Sequence, residues 1–279
     1  MISKFINPFT DVGFKRIFGQ EISKPVLITF LNTLLEGEYC IANLKYLDKE
    51  QLGIADNDRS LIYDIYCELE DGGHIIVEMQ NKSQPFFKNR SIYYISRSIA
   101  MQGERGAEWE YNVKATILVA FLNFHQKDIS TDFRTDVSLM DMRHKTPFSD
   151  RMRLIYLQLP LFQKELEECA TVFEQMIYVL KHMDVLQRMP ELLQNAVFQK
   201  IASIAEVASL SHEDRIRYDA SIRHFRDTIA VMEGQYEEGM KQGMEQANID
   251  MARKMKALGA DAAFIAKVTS LAAEQIQRL

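Results

Sequence analysis

The stretch that most restricts how this chain can fold runs from residue 61 to residue 82. Two runs rich in Ile, Val, Tyr and Leu flank the sequence Asp71-Gly72-Gly73, whose residues tolerate the positive φ angles of a tight turn. This pattern predicts a β-hairpin. Because side chains alternate between the faces of a strand, each strand has a predicted shared face, formed by Ile62, Asp64, Tyr66 and Glu68 in the first and by Ile76, Glu78, Gln80 and Lys82 in the second.

Two carboxylates of this hairpin lie inside apolar runs. Asp64 and Glu78 each have an apolar residue on both sides. An unpaired charge in such surroundings is costly, and a bound cation would relieve that cost. Mg²⁺ commonly takes one or two protein carboxylates and keeps waters for a phosphate-bearing substrate. The alternative is that both acids are ordinary strand charges, solvated or paired with Lys82 and Arg90, and the spacing alone leaves both interpretations open.

Several blocks of sequence, taken in their order, resemble one known family. An Asp followed about a dozen residues later by Glu-x-Gln on consecutive strands resembles the PD-(D/E)XK nuclease core. The surrounding blocks are similar to the Rpn family of recombination-promoting nucleases, or PD-(D/E)XK transposases. These blocks are NPFTDVGFKRIFGQ (7–20), LITFLNTLL (27–35), YDIYCELEDGGHIIVEMQ (63–80), KNRSIYYISRSIAMQ (88–102) and KATILVAFLNF (114–124). The resemblance covers roughly residues 5–160.

The resemblance implies metal-assisted hydrolysis of DNA. Asp64 and Glu78 would hold Mg²⁺, or another divalent cation such as Mn²⁺ or Ca²⁺, and Gln80 would orient the attacking water. Many relatives have a lysine where this chain has Gln80, although glutamine is usual in the narrower family. Glutamine can position water but can neither accept its proton nor supply positive charge. Lys82, two positions further along the strand, or Lys15 is therefore expected to supply the missing charge.

A basic segment follows the second strand and is the predicted DNA contact. The segment Pro85 to Gln102 has a helical apolar pattern, and no acid occurs between Met79 and Gly103. Lys15 occupies the polar side of a predicted helix over residues 11–18. The candidate DNA-binding residues are Lys15, Lys88, Arg90, Tyr94 and Arg97. The alternative is that the two arginines pair with Glu78 or Glu104, and that Lys15 belongs to a solvated helix face.

Overall composition restricts these interpretations. A net charge of −6 and a pI near 5.6 are not typical of a nucleic-acid binder, so DNA contact must come from a local basic surface. The three cysteines are widely spaced and fit no zinc pattern. With no signal peptide and no apolar run of about 18 residues, the sequence predicts a reduced, cytoplasmic protein without a membrane span.

The predicted fold class is α/β, with a restriction-endonuclease-like PD-(D/E)XK core and an all-helical C-terminal extension. The core is a mixed central sheet flanked by helices, with a first strand over 41–54 and a turn at Asn57-Asp58. We divide the chain into a nuclease-like domain (1–160), a helical region (161–235) and a tail (236–279) ending in a small helix-turn-helix-like pair capped by Ser270. This tail is expected to mediate self-association, giving a homo-oligomer.

Two further functions are compatible with the sequence. The fold could serve as a DNA- or protein-binding scaffold with little catalysis, which Gln80 and the acidic balance favour. A carboxylate-pair glycosidase is disfavoured because Trp109 is the only tryptophan available for stacking on sugars. For the nuclease, the resemblance suggests recombination or transposition-like DNA processing and defence against phage, without deciding between them.

Overall fold

A computed structural model describes residues 3–51, 61–103 and 110–279 of the chain. The chain divides into two compact units, residues 1–225 and residues 226–279. This division follows spatial contact, and the three-part division of the sequence stays a prediction. No helix of the described residues is long and apolar enough to cross a membrane.

A six-stranded mixed sheet forms the centre of the first unit. The strands are β1 (Leu44–Tyr46), β4 (Ile65–Leu69), β5 (His74–Gln80), β6 (Thr116–Leu122), β7 (Arg134–Asp141) and β8 (Thr146–Gln158), in the spatial order β1-β4-β5-β6-β8-β7. The pairs β5–β6 and β6–β8 are parallel and the others are antiparallel. With helices on both faces, this arrangement confirms the predicted fold class.

A small second sheet pairs β2 (Glu50–Gln51) with β3 (Leu61–Ile62). The single strand predicted over 41–54 is therefore wrong within the described residues, because the chain breaks between β1 and β2. At the break, the Asp48 carboxylate accepts a hydrogen bond from the Glu50 backbone N–H at 3.0 Å, a local turn that competes with strand pairing. The predicted turn at Asn57-Asp58 lies outside the described residues.

The helices of the first unit cover the two faces of the large sheet. On one face, α1 (Asp11–Phe18), α2 (Lys24–Leu34), α4 (Val172–His182) and α5 (Ala196–Ala205) enclose the larger core. On the other face, α3 (Phe87–Ala100) packs on a smaller core that includes Tyr63, Ile76 and Leu118. All seven residues of β6 are buried, as its continuous apolar sequence predicts.

The start of α1 depends on a close backbone approach. The Thr10 hydroxyl accepts a hydrogen bond from the Gly13 N–H at 3.0 Å and caps the helix. A Cβ at Gly13 would lie 2.0 Å from the Asn7 carbonyl oxygen, so only glycine fits here. This packing fixes the position of Lys15, two residues further along α1.

The second unit contains the end of α6 (His212–Ala257) and two short helices, α7 (Ala262–Thr269) and α8 (Ala273–Arg278). A separate small core holds Ala252, Ile265 and Ile276 together with Leu271. The prediction that Ser270 caps the last helix is wrong. Ser270 instead ends α7 in a left-handed conformation (φ 57°), and α8 begins after Ala272.

Candidate active site

The hairpin register places the two carboxylates opposite each other. Ile65 pairs with Val77 on β4 and β5, so the next position along brings Asp64 to face Glu78. The Asp64 backbone N–H donates a hydrogen bond to Glu78 Oε1 at 3.3 Å, and the Met79 N–H donates one to Asp64 Oδ2 at 2.8 Å. Both side chains therefore lie at the same end of the hairpin, each held by the backbone of the other strand.

Burial and proximity raise the pKa of both acids. Only 4% of Glu78 is exposed, and burial, followed by the nearby charge of Asp64, raises the pKa of Glu78 to about 8. Burial is also the main reason why the pKa of Asp64 lies above its usual range, although the hydrogen bond from Met79 opposes the shift. Without a cation, the pair therefore retains a proton near neutral pH.

This donor set fits a hard divalent cation. Two oxygen donors of like charge are brought together where water is largely excluded, and a divalent ion would compensate both charges. The described residues contain no group of three or more His, Cys, Asp or Glu side chains able to hold a metal. The two carboxylates thus match the Mg²⁺ pattern of few protein ligands completed by water and substrate.

Gln80 and Lys82 follow Glu78 along the chain but have different surroundings. The Gln80 amide donates to Glu78 Oε2 at 3.4 Å from the last position of β5. The expectation that Lys82 continues the same strand face is wrong, because β5 ends at Gln80 and Lys82 is exposed beyond it. The Asn81 side chain turns the chain here by donating to the Phe9 carbonyl at 2.6 Å.

Two lysines approach the pair from the side of Asp64. Lys15 on α1 lies near enough to lower the pKa of Asp64, but its ammonium also pairs with Asp11 at 2.5 Å. Lys49, directly before β2, contributes in the same direction. It is half-buried, and burial, followed by the charge of Lys15, lowers its own pKa.

Sequence reasoning missed Lys49. The lysine reaches the site because the Tyr63 N–H donates to the Lys49 carbonyl at 3.0 Å, which ties the start of β2 to the residue before Asp64. No hydrogen bond or ion pair of the Lys49 ammonium is seen among the described residues. A half-buried lysine with no such partner is unusual for a purely structural role. Its position near Asp64 follows from the pairing of β2 with β3, which the sequence pattern does not predict.

Helix α3 brings Arg90 and Tyr94 to the side of Glu78. The Arg90 guanidinium lies over the rings of Phe87 (5.0 Å) and Tyr94 (5.6 Å), and Nη1 donates to the Gln84 side chain at 2.5 Å. Its charge lowers the pKa of Glu78, while burial, followed by the charge of Glu78, raises the pKa of the Tyr94 phenol. The Arg90 Nε is buried without a hydrogen-bond partner among the described residues, so this group retains a free donor near the acids.

The two remaining candidates on α3 are placed differently. The Lys88 ammonium pairs with the Asp128 carboxylate at 3.0 Å and with the Asp128 carbonyl at 2.8 Å. Its charge is therefore partly neutralised. Arg97 is half-buried two turns after Arg90 and lies near enough to Tyr63 to counter the rise in the pKa of that phenol. The structure thus groups Arg90 and Tyr94 with the acids, whereas Lys88 lies at an exposed edge.

Comparison with known proteins gives one match. No curated protein and no solved structure matches the chain. The family described as PD-(D/E)XK nuclease family transposase matches residues 8–235, which includes the whole large sheet and every residue of the candidate site. The match supports a nuclease-type function. Since the matched region is most of the chain, the protein belongs to the PD-(D/E)XK nuclease family transposases.

Proposed function

We propose that this protein is a metal-dependent DNA endonuclease that hydrolyses phosphodiester bonds. One observation carries the proposal: Asp64 and Glu78 face each other with raised pKa values, and the nearby cations Lys49 and Arg90 form no ion pair among the described residues. A structural ion pair would place a cation against each acid and lower its pKa. Here like charges are brought together instead, as is typical of sites that bind a metal ion.

Asp64 and Glu78 would hold the divalent cation, which we propose is Mg²⁺, with Mn²⁺ or Ca²⁺ as substitutes. When bound, the ion would polarise the phosphate and lower the pKa of a bound water. The protein groups around the ion bind the phosphate and orient the water. Gln80, whose amide N–H bonds to Glu78 Oε2, presents its carbonyl oxygen as an acceptor that can align a water.

Positive charge for the phosphate comes from several elements. Within the described ranges, the Arg90 Nε has no hydrogen-bond partner and the Lys49 ammonium has no ion pair. Both can stabilise charge that develops on the phosphate oxygens in the transition state. We propose Lys15, Lys88, Arg90, Tyr94 and Arg97 as the DNA-contacting set, with Lys82 at the exposed rim.

The acidic balance of the whole chain requires this contact to be local. With a net charge of −6, long-range attraction to DNA is absent, and affinity depends on the few cations around the site. Each phosphate neutralised by Lys or Arg contributes to the dependence of binding on salt. We therefore expect the affinity for DNA to fall only shallowly as salt increases, because few phosphates are contacted.

A nicking assay tests the proposed reaction. Supercoiled plasmid is incubated with Mg²⁺, Mn²⁺ or Ca²⁺ and with wild-type protein, Asp64→Asn or Glu78→Gln. Glu70→Gln is the matched control, because Glu70 is an exposed acid of the same hairpin. Nicking by the wild type and by Glu70→Gln only, and only with metal, supports the proposal. Equal nicking by all variants, or none by the wild type with any metal, contradicts it.

A non-catalytic scaffold is the second candidate, and Gln80 favours it. The position usually held by lysine in the superfamily carries a neutral amide here, which lacks positive charge for the transition state. In this case the wild type would bind DNA as tightly as Glu78→Gln and leave it intact. The same plasmid assay, combined with a binding measurement in chelator, separates the two functions.

We also propose that the protein self-associates through its C-terminal helices. Tyr236, Met240 and Met244 are exposed, and they recur every four residues along α6, so they share one helix face. Met240→Glu with Met244→Glu should shift a sedimenting homo-oligomer to monomer if this face is the interface. We place the protein in the cytoplasm, acting in recombination or transposition-like DNA processing, with phage defence as a further role.

A further inference from the structure

We propose that Phe86 stacks on an unpaired base of the DNA substrate, beside the scissile phosphate. The inference rests on the nuclease function proposed above and extends it to a substrate class, DNA in which a base near the cut is not enclosed in a regular duplex. Examples are a mismatch, a flap and a single strand.

Phe86 combines two unfavourable features. The residue is 79% exposed, and its backbone is left-handed (φ 68°, ψ 17°), a conformation that is uncommon for bulky residues. No aromatic or cationic group stacks on the ring among the described residues, whereas the next residue, Phe87, is buried in the core and carries Arg90 on its ring. Strain of this kind concentrates at functional sites.

The left-handed residue explains why adjacent phenylalanines have opposite surroundings. Phe87 begins α3 and is anchored under the helix. The left-handed backbone at Phe86 directs the Phe86 side chain away from that core, so the Phe86 ring stays in solvent. The backbone of Phe86 is held by the hydrogen bond that its carbonyl accepts from the Arg90 N–H, so stacking of the ring requires little main-chain ordering on binding.

The position of Phe86 connects it to the acids. The Arg90 backbone N–H donates to the Phe86 carbonyl at 2.9 Å, so the two residues are one helical turn apart. Arg90 in turn lies close enough to Glu78 to lower its pKa. The loop from Gln80 to Phe86 also carries Lys82, and no acid occurs in it. A phosphate near Glu78 would therefore bring neighbouring bases within reach of the ring.

Nucleobases suit this ring better than other apolar occupants. Each base has a flat aromatic face that stacks on a side chain regardless of its sequence. Lys82 and Arg90, four residues before and after Phe86 in the chain, favour a ligand that also carries phosphate. The face of a base inside a duplex is covered by its neighbours. Stacking on Phe86 therefore requires a base that is already exposed or easily unstacked.

Three variants and one matched control test the role of Phe86. Phe86→Gly removes the ring and suits the left-handed backbone, so we expect it to fold at least as stably as the wild type. Phe86→Tyr and Phe86→Trp keep a ring. The control is Phe148→Ala, because Phe148 is 77% exposed but lies far from the acids. Tyr156 of β8 is level with Glu78 across the sheet, and Phe148 lies about 26 Å before Tyr156 along that strand.

Binding is measured in chelator to a short duplex and to the same duplex with one unpaired base. Stacking should make Phe86→Gly bind the unpaired-base DNA about 5- to 150-fold more weakly than the wild type, with little change on the perfect duplex. Phe86→Tyr and Phe148→Ala should match the wild type. In a Trp109→Phe background, Phe86→Trp provides a single tryptophan whose fluorescence should fall when the unpaired-base DNA binds.

The outcomes separate this inference from the nuclease proposal. If the wild type nicks DNA while Phe86→Gly binds the unpaired-base DNA as tightly as the wild type, the stacking role is wrong and the nuclease function stands. Unchanged tryptophan fluorescence at saturating DNA overturns it as well. If the wild type neither binds nor nicks any of these DNAs, both proposals fail together.

Discussion

Replacing Glu78 by glutamine should stabilise the metal-free protein while abolishing cleavage. Glutamine has the shape of a protonated glutamate, so it can still accept the hydrogen bond from the Asp64 N–H. It removes the charge that is buried beside Asp64, which is the source of the raised pKa of Glu78. It also removes one of the two carboxylates that the proposed metal needs.

The size of the effect follows from linkage. Folding raises the pKa of Glu78 from its ordinary 4.5 to about 8, so between these values the folded state binds a proton that the unfolded state has released. The free energy of unfolding therefore falls as pH rises, by at most about 1.4 kcal/mol per pH unit. At pH 7 the cost is about 3 kcal/mol, and losing the hydrogen bond from Gln80 reduces the expected gain to about 2 kcal/mol.

Urea unfolding in chelator at pH 5, 6, 7 and 8 measures this difference. The advantage of Glu78→Gln over the wild type should be small at pH 5, grow up to pH 8 and remain constant above it. Glu70→Gln, in the exposed turn of the same hairpin, should follow the wild type at every pH. Superimposed curves for the wild type and Glu78→Gln would refute the conclusion that burial, together with the charge of Asp64, raises the pKa of Glu78 in the folded state.

Three other perturbations give measurable outcomes. Adding Mg²⁺ at pH 8 should raise the melting temperature of the wild type but not of Glu78→Gln, because a ligand stabilises only the state that binds it; equal shifts in both would place the metal elsewhere. Lys49→Met should slow single-turnover cleavage by about 10- to 100-fold and Lys49→Arg by less, since a cation near the phosphate is lost only in the former; equal rates would exclude the lysine. Gly13→Ala should lower the free energy of unfolding by about 2 to 4 kcal/mol, because the new Cβ would meet the Asn7 carbonyl at 2.0 Å, which chemical denaturation can check.

The hairpin was predictable because local rules determine it. A turn of Asp71-Gly72-Gly73 between two apolar runs fixes both the loop and the register, and in the structure the Gly73 N–H bonds to the Asp71 carboxylate at 2.8 Å with Gly72 at φ 81°. Once the register is set, Asp64 must face Glu78. The central strand β6 was equally readable, since a continuous apolar run suits a strand that is buried on both faces.

The bounds and pairing of several elements could not be predicted from the pattern of apolar residues. The break between β1 and β2 arises from the Asp48 turn, and the pairing of β2 with β3 joins segments that no periodic pattern connects. The end of β5 at Gln80 depends on the Asn81 side chain reaching Phe9. The alternation of apolar and polar residues does not show where a strand ends. For this reason the sequence predicts a strand face for Lys82, although β5 ends at Gln80.

The same reasoning explains how a site with Gln80 can still carry positive charge. If the motif is considered along β5 alone, the glutamine at position 80 leaves the site without the positive charge that a lysine would supply. In the folded chain, cations reach the acids from three other segments, as Lys15 on α1, Lys49 before β2 and Arg90 on α3. Lys15 is shared with Asp11, whereas in the part of the chain that the structure describes the Lys49 ammonium and the Arg90 Nε have no partner. Electrostatic stabilisation depends on where a charge lies and not on which strand supplies it, so the loss of lysine at one position does not by itself imply the loss of catalysis.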